Sequence, residues 1–143
     1  MKKIFSLVLL ALSLIAFTEV FGKKEAVKQT AKQVEFRIAA ASNYNYNVYE
    51  ESYATIQLRV YKSNKQGREL LWSKLIDPIQ LNRFPDAANA LSFVAEITEV
   101  NHGHDRLEAS YEVVYNTRGS ILNTESSLIR LDARDRDVVP VLV

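Results

Sequence analysis

The amino-acid sequence predicts an all-β domain carried behind an export signal. Three observations carry that expectation. Apolar residues recur with a period of two in run after run, as in Val34, Phe36, Ile38 and Ala40, which is the pattern of a half-buried strand. Glycine, asparagine, aspartate and proline gather between these runs, where strands have to turn. No stretch beyond residue 22 carries an apolar helical stripe of three turns, so nothing offers a helix a face to bury.

The elements follow in order. Residues 23–32, Lys-Lys-Glu-Ala-Val-Lys-Gln-Thr-Ala-Lys, are polar with four lysines and read as a linker ahead of the fold. Alternation begins at Val34 and runs to Ala40. Ala54, Ile56, Leu58 and Val60 alternate with Thr55, Gln57 and Arg59. The turn formers Ser63–Gly67 then fold this strand back onto Glu69–Ile76 as a hairpin. Asp77-Pro78 is expected to end that strand, because proline lacks the ladder donor. Ile79–Phe84 reads as a short strand and Ala87–Ala90 as a loop or one helical turn. Phe93, Ala95 and Ile97 open a further strand to Val100, and residues 101–105 form a turn. Leu107, Ala109, Tyr111, Val113 and Tyr115 make the clearest strand in the chain. Asn116-Thr117-Arg118-Gly119 is a second hairpin turn, with Gly119 suited to positive φ. Ser120–Leu131 returns as a long strand whose phase slips near Glu125, the mark of a bulge. The apolar tail Val138–Val143 reads as an edge strand.

Seven strands or so, at these spacings, make an antiparallel immunoglobulin-like β-sandwich the expected architecture, with a small up-and-down β-barrel as the alternative. Residues 33–143 form its single domain. Trp72, inside the Leu70–Ile76 run, reads as a core anchor.

The start of the chain has a different character. Lys2 and Lys3 precede an apolar run from Ile4 to Phe17, broken only by Ser6 and Ser13. A polar pair, Thr18-Glu19, and the small residue Gly22 follow. A charged start, an apolar core of about 7–15 residues and a small residue at the cut make a secretory signal peptide. Residues 1–22 are therefore expected to be removed after Gly22. A spanning helix wants about 20 apolar residues, and extending this one to Phe21 would bury Glu19 in hydrocarbon. No stable membrane anchor is expected after cleavage.

Composition narrows the function classes. The chain has 18 basic and 17 acidic residues, and losing Lys2, Lys3 and Glu19 leaves 16 of each. A neutral domain lacks the basic excess that nucleic-acid binding requires. The absence of cysteine removes disulfides, a lipoprotein-type lipid anchor and cysteine nucleophiles. An exported domain without disulfides or an Asn-x-Ser/Thr acceptor points to a Gram-negative bacterium, with a periplasmic or an extracellular, cell-surface address.

Four segments carry candidate chemistry. His102-Gly103-His104-Asp105 places two imidazoles and a carboxylate within one turn. His102, His104 and Asp105 are the candidate metal ligands, although the same residues make a good polar loop, and no cofactor is expected. Residues 43–47 alternate asparagine and tyrosine, and Tyr49 and Tyr53 follow. Tyr44, Tyr46, Tyr49 and Tyr53 are candidate contacts for a glycan or a protein, because tyrosine offers a large amphipathic face at low entropy cost. Packing of these rings on the fold itself is the competing reading. Asp132–Asp137 alternates acids with Arg134 and Arg136, which neutralise the field a calcium ion needs, and it reads as a solvated, self-paired stretch. Catalysis has no assembled constellation: no Gly-x-Ser-x-Gly elbow, no phosphate-cradling glycine loop, and carboxylates (Glu50, Glu51, Glu96, Glu99, Glu112) that nothing selects among.

The sequence thus leads to a non-catalytic envelope protein, a binding or structural module that contacts another envelope protein. A small glycan- or ligand-binding protein using residues 43–53 is the alternative, and an unrecognised hydrolase is a third.

Overall fold

The computed structural model describes residues 30–42, 51–101 and 103–143. The expected signal peptide, most of the linker, Tyr44, Tyr46, Tyr49 and His102 lie outside the described residues. Seven strands occur in chain order: β1 (Thr30–Ala39), β2 (Ser52–Asn64), β3 (Gly67–Gln80), β4 (Leu91–Val100), β5 (Arg106–Thr117), β6 (Ser120–Arg130) and β7 (Arg136–Leu142). They form two sheets, ordered β4-β1-β7 and β3-β2-β5-β6. No described segment is an α-helix, and the sheets do not close into a barrel. The arrangement is that of a β-sandwich.

The alternation read from sequence is the alternation that is buried. Val34, Phe36 and Ile38 of β1 and Ala54, Ile56, Leu58 and Val60 of β2 have no exposed surface. They join Ala95, Ile97, Ala109, Val113, Val139 and Val141 in one apolar core fed by both sheets. Trp72 packs against that core and stacks on Phe36, with ring centroids 5.8 Å apart. It is the core anchor its position in the sequence suggested.

Both hairpins are closed by the expected turn chemistry. Asn64 pairs with Gly67 across a two-residue turn, where the Asn64 side chain accepts from the Gln66 N–H at 2.8 Å as an Asx turn. Thr117 pairs with Ser120, and the turn between them places Arg118 at φ 47° and Gly119 at φ 80°. Two successive positive φ values match the right-handed twist of a hairpin.

The structure departs from the sequence expectation in several places. β1 begins at Thr30, so Ala31 and Lys32 belong to the sheet rather than to the polar linker. Asp77-Pro78 does not end β3. The register runs from Ile56↔Ile76 to Ala54↔Ile79, so the proline sits in a bulge on an edge strand, where no neighbour needs its missing donor. Ile79–Phe84 is not a strand of its own: Ile79 and Gln80 finish β3 and Leu81–Arg83 form a 3₁₀ turn. The bulge of β6 falls at Leu122, between the pairs Tyr115↔Asn123 and Asn116↔Ile121, and not near Glu125. The sandwich is not wholly antiparallel either. β7 runs parallel to β1, from Gln33↔Arg136 to Ala39↔Leu142.

The strand order also differs from the immunoglobulin one. A constant-type domain would group β1-β2-β5-β4 against β3-β6-β7. Here β1 lies between β4 and β7, so the shared features are the two layers and the seven strands. The path has an internal regularity of its own. β1 followed by the β2–β3 hairpin and β4 followed by the β5–β6 hairpin trace the same route, one strand in the small sheet and two in the large. β1 is antiparallel to β4 and β2 to β5, as an approximate two-fold between the halves requires. β7 is the addition that breaks the symmetry.

Candidate functional site

Lys32 is the most unexpected side chain in the fold. A lysine is almost never fully buried unless it is paired, and Lys32 is fully buried. Its ammonium donates to the carbonyls of Asp132 and of Arg134, the latter at 2.7 Å, and lies 2.7 Å from Asp137 Oδ2. That oxygen accepts no hydrogen bond, so its contact with the ammonium is an ion pair alone. Two hydrogen bonds and one ion pair therefore engage the ammonium, and the loop from β6 to β7 wraps around the charge. The 132–137 stretch is self-paired in one place, Arg134 to Asp132 at 3.6 Å, but it is chiefly the lid on a buried cation. Sequence reasoning missed this, because a lysine in a polar run gives no sign of burial.

Of the candidate metal ligands, His104 and Asp105 are described, and they lie between β4 and β5. Asp105 Oδ2 accepts from the Asn101 N–H at 3.0 Å, and Asn101 Oδ1 accepts from the Gly103 N–H at 3.1 Å. The N–H groups of His104 and Asp105 both donate to the Asn101 carbonyl. Asp105 is thus engaged in shaping its own turn. Among the described residues no group of three His, Cys, Asp or Glu side chains is placed to hold a metal.

Of the candidate tyrosines, Tyr53 is described. It lies on the outer face of the large sheet and is 44% exposed. It lines an open recess of about 440 Å³ with Glu51, Gln80, Asn116, Arg118 and Gly119. Among the carboxylates considered for catalysis, Glu51 pairs with Arg118 and Glu112 with Arg59.

A larger cleft, of about 610 Å³, opens at the opposite end of the sandwich. The end of β4, the starts of β5 and of the β2–β3 turn, and the end of β6 meet there. Val100 and Leu107 form its buried floor, Leu131 and Ala133 contribute apolar surface, and Lys65, His104, Arg106 and Arg130 contribute cations or donors. Size and mixed lining are those of small-molecule sites. Nothing in the sequence singled out Lys65, Arg106 and Arg130, because they are scattered over 66 positions and only the pairing of β2, β5 and β6 gathers them.

The third feature is the edge of β6, which has no neighbouring strand on its outer side among the described residues. Ile121 is 69% exposed, and Leu122 and Leu128 are each 54% exposed. Over Ser120–Leu128 the strand carries one charge, Glu125, and no proline. Compared with family models, with curated proteins and with solved structures, the chain matches none.

Proposed function

We propose that this chain is a non-catalytic binding module, exported to the bacterial envelope, that contacts another protein by adding a strand to β6. The observation that carries the reading is the contrast between the sheet edges. A free edge presents unpaired N–H and C=O groups, and natural sheets guard such edges with proline, bulges or charge. β3 has Pro78, two irregularities of register and an exposed Lys74. β7 has Pro140 and opens on Arg136-Asp137. β4 carries Glu96. β6 has one bulge, at Leu122, and one charge, Glu125, over Ser120–Leu128, and exposes three large aliphatic side chains. Strand addition uses main-chain hydrogen bonds for affinity and alternate side chains for specificity, and β6 supplies both.

The test is capture from an envelope extract with the full exported protein. The unmodified protein is expected to recover a specific partner. Leu122→Lys and Ser126→Pro, each with an unchanged circular dichroism spectrum, are expected to lose it. Recovery of the same protein by all three, or of none by the unmodified chain, overturns the reading.

A second reading has one observation in its favour. The exposed ring of Tyr53 faces an open recess beside two amides, Gln80 and Asn116. A flat ring with amide hydrogen bonds is a surface that suits a sugar. A glycan array probed with Tyr53→Ala beside the parent separates this reading from the first. Sugar binding that survives the substitution, or is absent in both, sets it aside.

A further inference from the structure

We propose that the cleft at the Val100 end of the sandwich is a binding site for a small ligand bearing a tetrahedral oxyanion ester, a phosphate or sulfate joined to a compact apolar or sugar body. This goes beyond the protein-contact reading and does not depend on it.

Strand register gathers the cations. Ser63 of β2 lies opposite Arg106 of β5, and Glu108 of β5 lies opposite Arg130 of β6. Residues 106 and 108 share a face, as alternate residues of a strand do, so Arg106 and Arg130 are diagonal neighbours on that face, within reach of one another for long side chains. Lys65 enters from the turn that follows Ser63. Three adjacent strands thus deliver three cations to one end of one sheet, and all three line the same cleft.

The second step is charge. The nearby carboxylates are already engaged. Glu108, on the same face as both arginines, pairs with Arg68 at 3.2 Å. Asp105 is held by the Asn101 N–H, and Asp132 faces Arg134. Arg106, Arg130 and Lys65 have no ion pair among the described residues. The lining thus sets three cations without ion pairs against two carboxylates, of which Asp132 already faces Arg134, and the local balance is positive. A guanidinium presents paired N–H donors that match two oxygens of a tetrahedral oxyanion, and a lysine adds a point charge.

The third step is shape. The cleft is about 610 Å³, too large for a bare ion and within the range for small organic ligands. Leu131, half-buried, and Ala133, exposed, offer apolar surface for the body of the ligand while the cations take its ester.

Phenyl phosphate, phenyl sulfate and phenol are suitable probes, followed by isothermal titration and by NMR shifts of the Arg106 and Arg130 amides. At least one ester is expected to bind with shifts confined to the cleft, and phenol is expected not to bind. Which ester binds more tightly identifies the source of the oxyanion. Arg106→Ala and Arg130→Ala are each expected to weaken binding roughly tenfold, the scale of a charge-assisted hydrogen bond. Lys65→Glu, in an exposed turn where it does not bear on folding, is expected to weaken it in the same direction. The proposal is overturned if neither ester binds, if phenol binds equally well, or if Lys65→Glu and the folded arginine variants bind like the parent.

Discussion

At the scale of single residues, Lys32 shows how a local reading fails for a physical reason. Ten polar residues with four lysines look solvated because nothing near them in sequence can neutralise a buried ammonium. The neutralising oxygens come from 100 and more positions away, at Asp132, Arg134 and Asp137. The arrangement fixes how sensitive the residue is. Removing one partner of a buried pair costs about 3–5 kcal/mol, because the other charge is left uncompensated. Lys32→Met is therefore expected to lower the urea midpoint by a large fraction of the total stability, while Lys32→Met combined with Asp137→Leu recovers part of the loss. A Lys32→Met protein within about 1 kcal/mol of the parent would mean that water reaches this loop and that the ammonium does not hold it. Arg106, Arg130 and Lys65 were invisible for the same reason. Each is an ordinary cation where it stands, and only the strand register brings the three together.

At the scale of elements, what the sequence made legible was whatever short-range chemistry decides. The two hairpins, the alternating strands and the capped turn at Asp86–Asn89 all follow from residues a few positions apart. The parallel pairing of β7 with β1 does not, since it closes a loop of about a hundred residues and leaves no mark in either strand. Pro78 was misread because its tolerance depends on β3 being an edge, which is a property of the sheet. One cross-strand contact in the small sheet has a consequence for pH. On the outer face Glu35 of β1 accepts from Arg136 of β7 and, at 2.8 Å, from Ser92 of β4. These hydrogen bonds, that of Arg136 foremost, hold its carboxyl below the ordinary value near 4.5, against a smaller opposing effect of desolvation. The unfolded chain therefore binds this proton more readily than the folded one, so stability from Glu35 rises with pH. It is fully present above the ordinary glutamate value and is lost as pH falls through the lowered one. Glu35→Gln is expected to flatten the acid limb of the urea midpoint against pH while leaving its neutral-to-alkaline course parallel to that of the parent. An acid limb of unchanged steepness counts against the role of this carboxylate in joining the three strands.

At the scale of the whole molecule, the approximate two-fold and its violation set where the fold is firm. β1 and β2 carry most of the residues with no exposed surface, joined by Ala109 and Val113 of β5, Ala95 of β4 and Val141 of β7. β7 completes the small sheet on the β1 side and is tied there by its ladder and by Lys32. The outer half of the β5–β6 hairpin has no such cover. Residues Ser120–Ser126 are exposed at every position, so both faces of β6 meet solvent over that stretch and the hairpin projects past the core. Stability is distributed accordingly. Amides exchange through local opening where few buried contacts must break, and through global unfolding where many must. The β6 amides from Ile121 to Glu125 are expected to exchange well before those of β2 facing β5, and with little dependence on urea, because opening them exposes little new apolar surface. The amides of Ile56, Leu58 and Val113 are expected to exchange only by global unfolding, with a steep urea dependence. A hairpin that frays alone is also one whose edge is free to pair without disturbing the core, which is the behaviour a strand-adding partner needs. Addition of that partner is then expected to slow the β6 amides and leave the β2 amides as they were. If β6 is already as protected as β2 in the isolated protein, the outer hairpin is part of the cooperative core and the edge is not a separable docking element.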